Sequence, residues 1–254
     1  MTDLLKPVDR VVALVEKLIG PPLDEAGKTL GDLVGMAFAD KVHLARERKK
    51  KNFEQVLQKV ERNVEQAQIE IQSVPLRLLE PIFSNASLED DDYLQERWAA
   101  LLTNAASPGA ESVPPAFPEI LKQLTPREAK LLQGIYENVC AALDQVEHAR
   151  SPALACSVTF DTWQDFLDIY KIRQLADIQY AEINGDAFVE MNQAWSEFCV
   201  TFSNFYRLGL IGSDLHIPIV NKPADFQPQK VHLTAFGFQF VRACTPPKPR
   251  QQAV

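Results

Sequence analysis

The chain has little of what most protein chemistry needs. Its 254 residues hold only four cysteines, Cys140, Cys156, Cys199 and Cys244, and no Cys-x-x-Cys pair. No metal or redox dithiol is therefore spelled out, and reduced thiols in apolar settings are expected, as in a cytoplasmic protein. No Gly-x-Ser-x-Gly, P-loop or Rossmann fingerprint occurs, which removes the commonest hydrolase and nucleotide signatures. There is no run of about 18 uncharged apolar residues, so no membrane-spanning helix is expected. Asp3 and Lys6 precede an interrupted apolar stretch with no small-residue cleavage site after it, so no signal peptide is expected either. Positive charge is also short. The net charge is −8, and residues 1–75 balance twelve basic against twelve acidic side chains, leaving the whole deficit to residues 76–254. That later part does not offer phosphates a broad footing, which argues against nucleic acid as a partner.

What is present is mostly helical periodicity. Val8, Val11, Val12, Val15, Leu18 and Ile19 make an amphipathic stripe stopped by Gly20-Pro21-Pro22. Gly27, Gly31 and Gly35 follow at steps of four and would line one helix face, allowing a close backbone contact. In an apolar 20-mer they would be a membrane packing motif, but Lys28, Asp32 and Asp40 interrupt the segment. A tight soluble helix contact is the plainer reading. The basic run Arg46, Arg48, Lys49, Lys50 and Lys51 is either a solvated helix face or a patch for anionic lipid or phosphate. Phe53, Leu57, Val60, Val64, Ala67, Ile71 and Val74 then alternate steps of four and three, the spacing of a helix packed on another helix. This pattern predicts a helix that ends at Pro75.

The run Glu89-Asp90-Asp91-Asp92 looks most like chemistry. Consecutive helix positions point about 100° apart, so at most two of the four carboxylates can converge. The alternation and glycine of a calcium loop are missing, and no histidine lies within forty residues. The run reads instead as a helix start: Ser87 as N-cap, acids complementing the positive end of the helix dipole, and Leu94, Trp98, Leu101, Leu102 and Ala105 as the core stripe behind.

Residues 107–118 read as an exposed, Pro-rich loop. Thr125-Pro126-Arg127-Glu128 is a helix start with Pro at the first position, and Leu131, Leu132, Ile135, Val139 and Leu143 follow as its buried face. Further helical patterns run over 162–175 and 186–206. Gly209 suits a left-handed helix end. Two short strands, 215–220 and 230–233, and a helix over 234–244 complete a winged-helix-like unit with one small hairpin.

Three stretches together, PLRLLEPIFSNASLEDDDYLQERWAALLTNAASP, PAFPEILKQLTPREAKLL and LGLI…LTAFGFQFVRACTP, resemble the abortive-infection alpha family of bacterial proteins. The likeness runs from about Gly20 to Pro246. It implies a role in defence against bacteriophage, in which an infected cell stops growing or dies before the phage matures. It carries over no active-site residue.

The expectation is thus a mainly α protein: an N-terminal helical arm or hairpin over 1–75, a helical body over 76–246 with the winged-helix-like end, and a disordered tail over 247–254. The leading function is non-enzymatic phage defence, as sensor, toxin or both, in the cytoplasm or peripheral to the inner membrane. Neither cofactor nor metal is expected. Val12, Val15, Gly27, Gly31, Gly35, Arg46, Arg48, Lys49, Lys50 and Lys51 are the candidate contacts to a protein partner, a second copy or an anionic membrane surface. The alternative is a winged-helix nucleic-acid regulator, weakened by a recognition segment, 186–206, that carries Asp186, Glu190 and Glu197 but no Lys or Arg. An enzyme built on Glu89–Asp92 would need converging carboxylates.

Overall fold

The computed structural model describes residues 13–15, 17–18, 43–108, 113–145, 157–160, 197, 200–212 and 229–247. They are mainly helical, as expected: α1 (His43–Ala67), α2 (Leu76–Leu88), α3 (Asp92–Ala105), α4 (Ala116–Leu121), α5 (Pro126–Gln145) and α6 (Ala235–Ala243), with strands β1 (Ser157–Phe160) and β2 (Gln229–His232). The chain divides into two compact units, residues 1–126 with 242–254, and residues 127–241.

In the first unit α1 lies against α2 and α3. Phe53, Val56, Leu57, Val60 and Ala67 are buried along one side of α1, at the three- and four-residue steps that keep a helix face together. Phe53 meets Phe83 of α2 edge-on, ring centroids 4.8 Å apart. Trp98, Leu101 and Leu102 of α3 complete the core. The helix ends earlier than its heptads suggest. Gln68 takes a positive φ of 51°, its N–H donates to Glu65 O, and Ile69 N–H donates to Val64 O. This is a Schellman stop without glycine. Ile71 and Val74 therefore lie beyond the helix, in a strap whose Gln72 N–H reaches Ala106 O and whose Val74 N–H reaches Leu18 O, both at 2.8 Å.

Pro75 is not a terminator but the residue that caps α2, and Pro81 sits inside that helix. Proline there removes one helical hydrogen bond. The buried stripe Leu78, Leu79, Ile82, Phe83 and Ala86 offsets that loss, because each such side chain contributes roughly 1.5–3 kcal/mol when buried. Helix α2 consequently runs through Ser87, which is not an N-cap: its hydroxyl donates to Ser84 O at 2.8 Å within the helix. The end of the segment expected as an exposed loop, 116–118, belongs instead to α4, with Phe117, Pro118, Ile120 and Leu121 buried. At the far end of this unit, Asn104 Nδ2 of α3 donates to Ala243 O and Thr245 O at 2.8 and 2.9 Å.

In the second unit α5 starts where Thr125-Pro126 predicts and buries Ala129, Leu132, Ile135 and Val139. Glu128 in its first turn is buried and accepts from Asn204 Nδ2 at 2.9 Å. Residues 200–207 are helical, with Phe202 and Phe205 fully buried. Gly209 ends them at φ 71°, as its sequence position suggests, with Gly209 N–H on Tyr206 O and Leu210 N–H on Phe205 O. Ile211 then bridges Leu233. Thr234 caps α6 by accepting from Gly237 N–H at 2.9 Å.

The winged-helix-like unit and its hairpin are not supported. Residues 230–232 do belong to β2, but β2 pairs antiparallel with β1, Ser157 opposite His232 and Phe160 opposite Gln229. Its partner comes from about seventy residues upstream, a choice that local turn signals cannot reveal. The proposed strand 215–220, the helical pattern 162–175 and the tail from 248 lie outside the described residues.

Two glycines separate crowding from helix propensity. A Cβ on Gly237 would overlap the Leu210 carbonyl, whereas one on Gly134 in α5 meets nothing within 4 Å. Gly237→Ala is expected to cost about 1–3 kcal/mol and Gly134→Ala to add about 0.5–1 kcal/mol, read as opposite shifts of the urea midpoint.

Candidate functional site

Three basic residues of α1, Arg48, Lys59 and Arg62, fall within about 60° of one another around the helix at 100° per residue. That edge faces the corner between α2 and α3. Arg48 grips Asp90 with two nitrogens, Nε donating to Oδ1 at 2.7 Å and the guanidinium NH2 to Oδ2. Lys59 pairs with the Asp92 carboxylate and also donates to Asp92 O at 3.0 Å. Arg62 reaches Glu96 at 3.2 Å. A second acidic edge, Glu47, Glu54, Glu61 and Glu65, runs along the other flank of α1 within about 40°.

Beneath Arg48, the buried Asn52 donates from Nδ2 to Asp90 Oδ1 at 2.9 Å and to Ser87 O at 3.3 Å. Gln95, also buried, donates to Glu89 O at 2.9 Å and to Gln55 Oε1 at 3.2 Å. The four acids thus have four separate tasks. Glu89 Oε1 accepts from Asp91 N–H at 3.0 Å. Asp90 is held by Arg48 and Asn52. Asp91 is the true N-cap of α3, accepting from Leu94 N–H at 3.0 Å. Asp92 pairs with Lys59.

Their electrostatics follow from those partners. Hydrogen bonding to Arg48 and then Asn52 holds the Asp90 carboxyl below the usual range, and Lys59 does the same for Asp92. Burial, foremost, pushes Glu89 upward against the hydrogen bond from Asp91. Among the described residues no group of three or more His, Cys, Asp or Glu side chains could hold a metal ion. Burial also pushes the Cys244 thiol up to about 12, which leaves it protonated and unreactive at neutral pH.

Of the contacts expected from sequence, Val12, Gly27, Gly31 and Gly35 lie outside the described residues. Val15 is described and buried, beside Leu14 and Leu18. Arg46, Lys50 and Lys51 are exposed on α1 and Lys49 is half-buried. Arg48 belongs to the same run but is turned to Asp90. Asn52, Lys59, Arg62, Asp90, Asp92 and Glu96, which build the α1 edge, were not singled out as a group by periodicity. The one available signal was that the basic spacing on α1 repeats on the side that would face an acidic corner.

Two variants probe the corner. Asp91→Ala is expected to cost about 1 kcal/mol in chemical denaturation, and Ser87→Ala clearly less, because it loses only a bond inside α2. Glu89 has a raised folded pKa, so its ionised form penalises the fold above that value and the penalty disappears below the unfolded value. Glu89→Gln should therefore raise Tm at pH 7 and leave it unchanged near pH 3.5. Asp90 and Asp92 carry the opposite sign: their contribution is present above the unfolded value of 3.8 and fades as pH falls further.

A family model described as abortive infection alpha matches residues 46–244. The match takes in the whole corner and most of the chain, and the protein belongs to that family. No curated protein and no solved structure matches it.

Proposed function

We propose that this abortive infection alpha protein is a non-enzymatic defence protein, a sensor, a toxin or both, acting through its N-terminal helices on a protein partner or on the membrane surface. The family assignment implies a role in abortive infection, the sacrifice of an infected cell that denies the phage its progeny. The observation that carries the finer reading is the burial of Leu14, Val15 and Leu18, with Leu18 O receiving Val74 N–H. An apolar helical stripe that is covered in one state and uncovered in another is a means of switching an amphipathic helix on. Among the described residues no helix is long and apolar enough to cross a membrane, so a membrane contact of this chain's described part would lie at the surface.

The acids that most resembled a catalytic cluster are each engaged in capping or pairing, which favours a contact-based role over hydrolysis. The basic run preceding Phe53 and the glycine face at 27, 31 and 35 remain the proposed contact elements.

Phage infection tests the reading. Bacteria producing the protein should survive as a culture at a low phage-to-cell ratio and collapse at a high one; an absence of protection across a broad phage panel would overturn it. Leu18→Asp places a charge where burial is complete and should free the stripe. Its expression is expected to arrest growth without phage, and normal growth with normal protection would sink the release mechanism.

A further inference from the structure

Asp90 occupies a small cradle that suits an oxyanion in general. The guanidinium of Arg48 presents two donors in the fork geometry that fits carboxylate and phosphate alike. Asn52 supplies a third donor at 2.9 Å and is itself 94% buried, since its exposure is 6%, so its amide is fixed in place. Lys51 is exposed on the side of Arg48 away from Asn52, about 100° from Asn52 around α1. The present occupant is accessible: the Arg48 and Asp90 side chains are 68% and 48% exposed. A pair so open to water is screened by it and is within reach of competing anions. The same basic run also contains Arg46 and Lys50, both exposed, which raise the local concentration of anions.

We propose that Arg48 and Asn52 form a binding site for a phosphate-type oxyanion, and that Asp90 is its internal competitor. An incoming phosphate takes the two Arg48 donors and the Asn52 amide, and the Asp90 carboxylate swings into solvent. Because Asp90 belongs to the corner between α2 and α3, the exchange unties Arg48 from that corner, while Asn52 keeps its bond to Ser87 O. The pairs Lys59–Asp92 and Arg62–Glu96 hold the rest of α1 in register. Anion binding and release of Arg48 from the corner are thereby the same event. The cradle depends on neither the membrane reading nor the phage role, and is measured in vitro without either.

The test uses the full chain as wild type, Asp90→Ala, Asp90→Asn and Asp90→Ala/Arg48→Gln, each checked for helical content by circular dichroism. Inorganic phosphate is titrated at constant ionic strength, with chloride as control. Without its competitor the cradle should bind phosphate about two- to fivefold more tightly than in wild type, and the added Arg48→Gln should abolish the gain. Asp90→Asn, which keeps the shape and loses the charge, should fall between and serves if Asp90→Ala does not fold. A parallel arm measures flotation with phosphatidylglycerol vesicles against phosphatidylcholine vesicles. An Arg48-dependent gain with free phosphate alone assigns a soluble ligand, and one confined to anionic vesicles assigns a lipid headgroup. Equal affinity of wild type and both Asp90 variants in both arms, or a gain that survives Arg48→Gln, overturns the site.

Discussion

Burial of one face of α1 against α2 and α3 is the constraint on which the first unit depends. Val56, Leu57 and Val60 are completely buried there, with Phe53 set against Phe83. Each contributes roughly 1.5–3 kcal/mol. Two ion pairs on the adjoining edge, Arg48–Asp90 and Arg62–Glu96, are open to water, and in the third only Asp92 is; pairs exposed in this way stabilise little. Stability of the helix packing therefore comes from the apolar face. The charges select which edge of α1 meets the corner, since a rotation that placed Glu47, Glu54 and Glu61 there would set acids against Asp90, Asp92 and Glu96.

That division of labour explains the crowded acidic corner. A helix must start within a few residues of where another ends, and the orphan N–H groups of α3 need acceptors. Asp91 supplies one and Glu89 fixes the turn ahead of it. Asp90 and Asp92 are left to face α1. Four carboxylates so close together would repel if they converged. Pointing them at a backbone amide, a guanidinium, a helix start and an ammonium removes the conflict, and with it the geometry a metal would need.

In this abortive infection alpha protein, polar contacts of α1 and of the strap behind it are laid over an apolar core to which Leu18, α1 and Val74 themselves contribute. The strap from Ile69 to Val74 touches both the end of α3 and the helical stretch at Leu18 through single backbone hydrogen bonds. The front of α1 is tied at its surface by the Arg48–Asp90 pair and beneath it by Asn52, which reaches Asp90 and Ser87 O.

Much of the helical architecture was legible in the residues because it follows from local chemistry. The apolar steps of α1, the Thr125-Pro126 start of α5, the left-handed Gly209 and the helix near the C-terminus are each set by neighbours within about one turn. The divergence of Glu89 to Asp92 was expected from the helical repeat, but Glu89, Asp90 and Asp91 lie between α2 and α3, so their separate partners set it. Helix limits were less legible: α1 stops at Gln68 without a glycine because its strap must reach Leu18 and Ala106, and α2 passes through Pro81 because the buried stripe around it outweighs one lost hydrogen bond. What only the tertiary structure decided are the partnerships across distance. Arg48 and Asp90 lie 42 residues apart, and β2 pairs with β1 from about seventy residues upstream. Such choices depend on which faces are brought together when apolar surface is buried, and no local pattern of side chains records that.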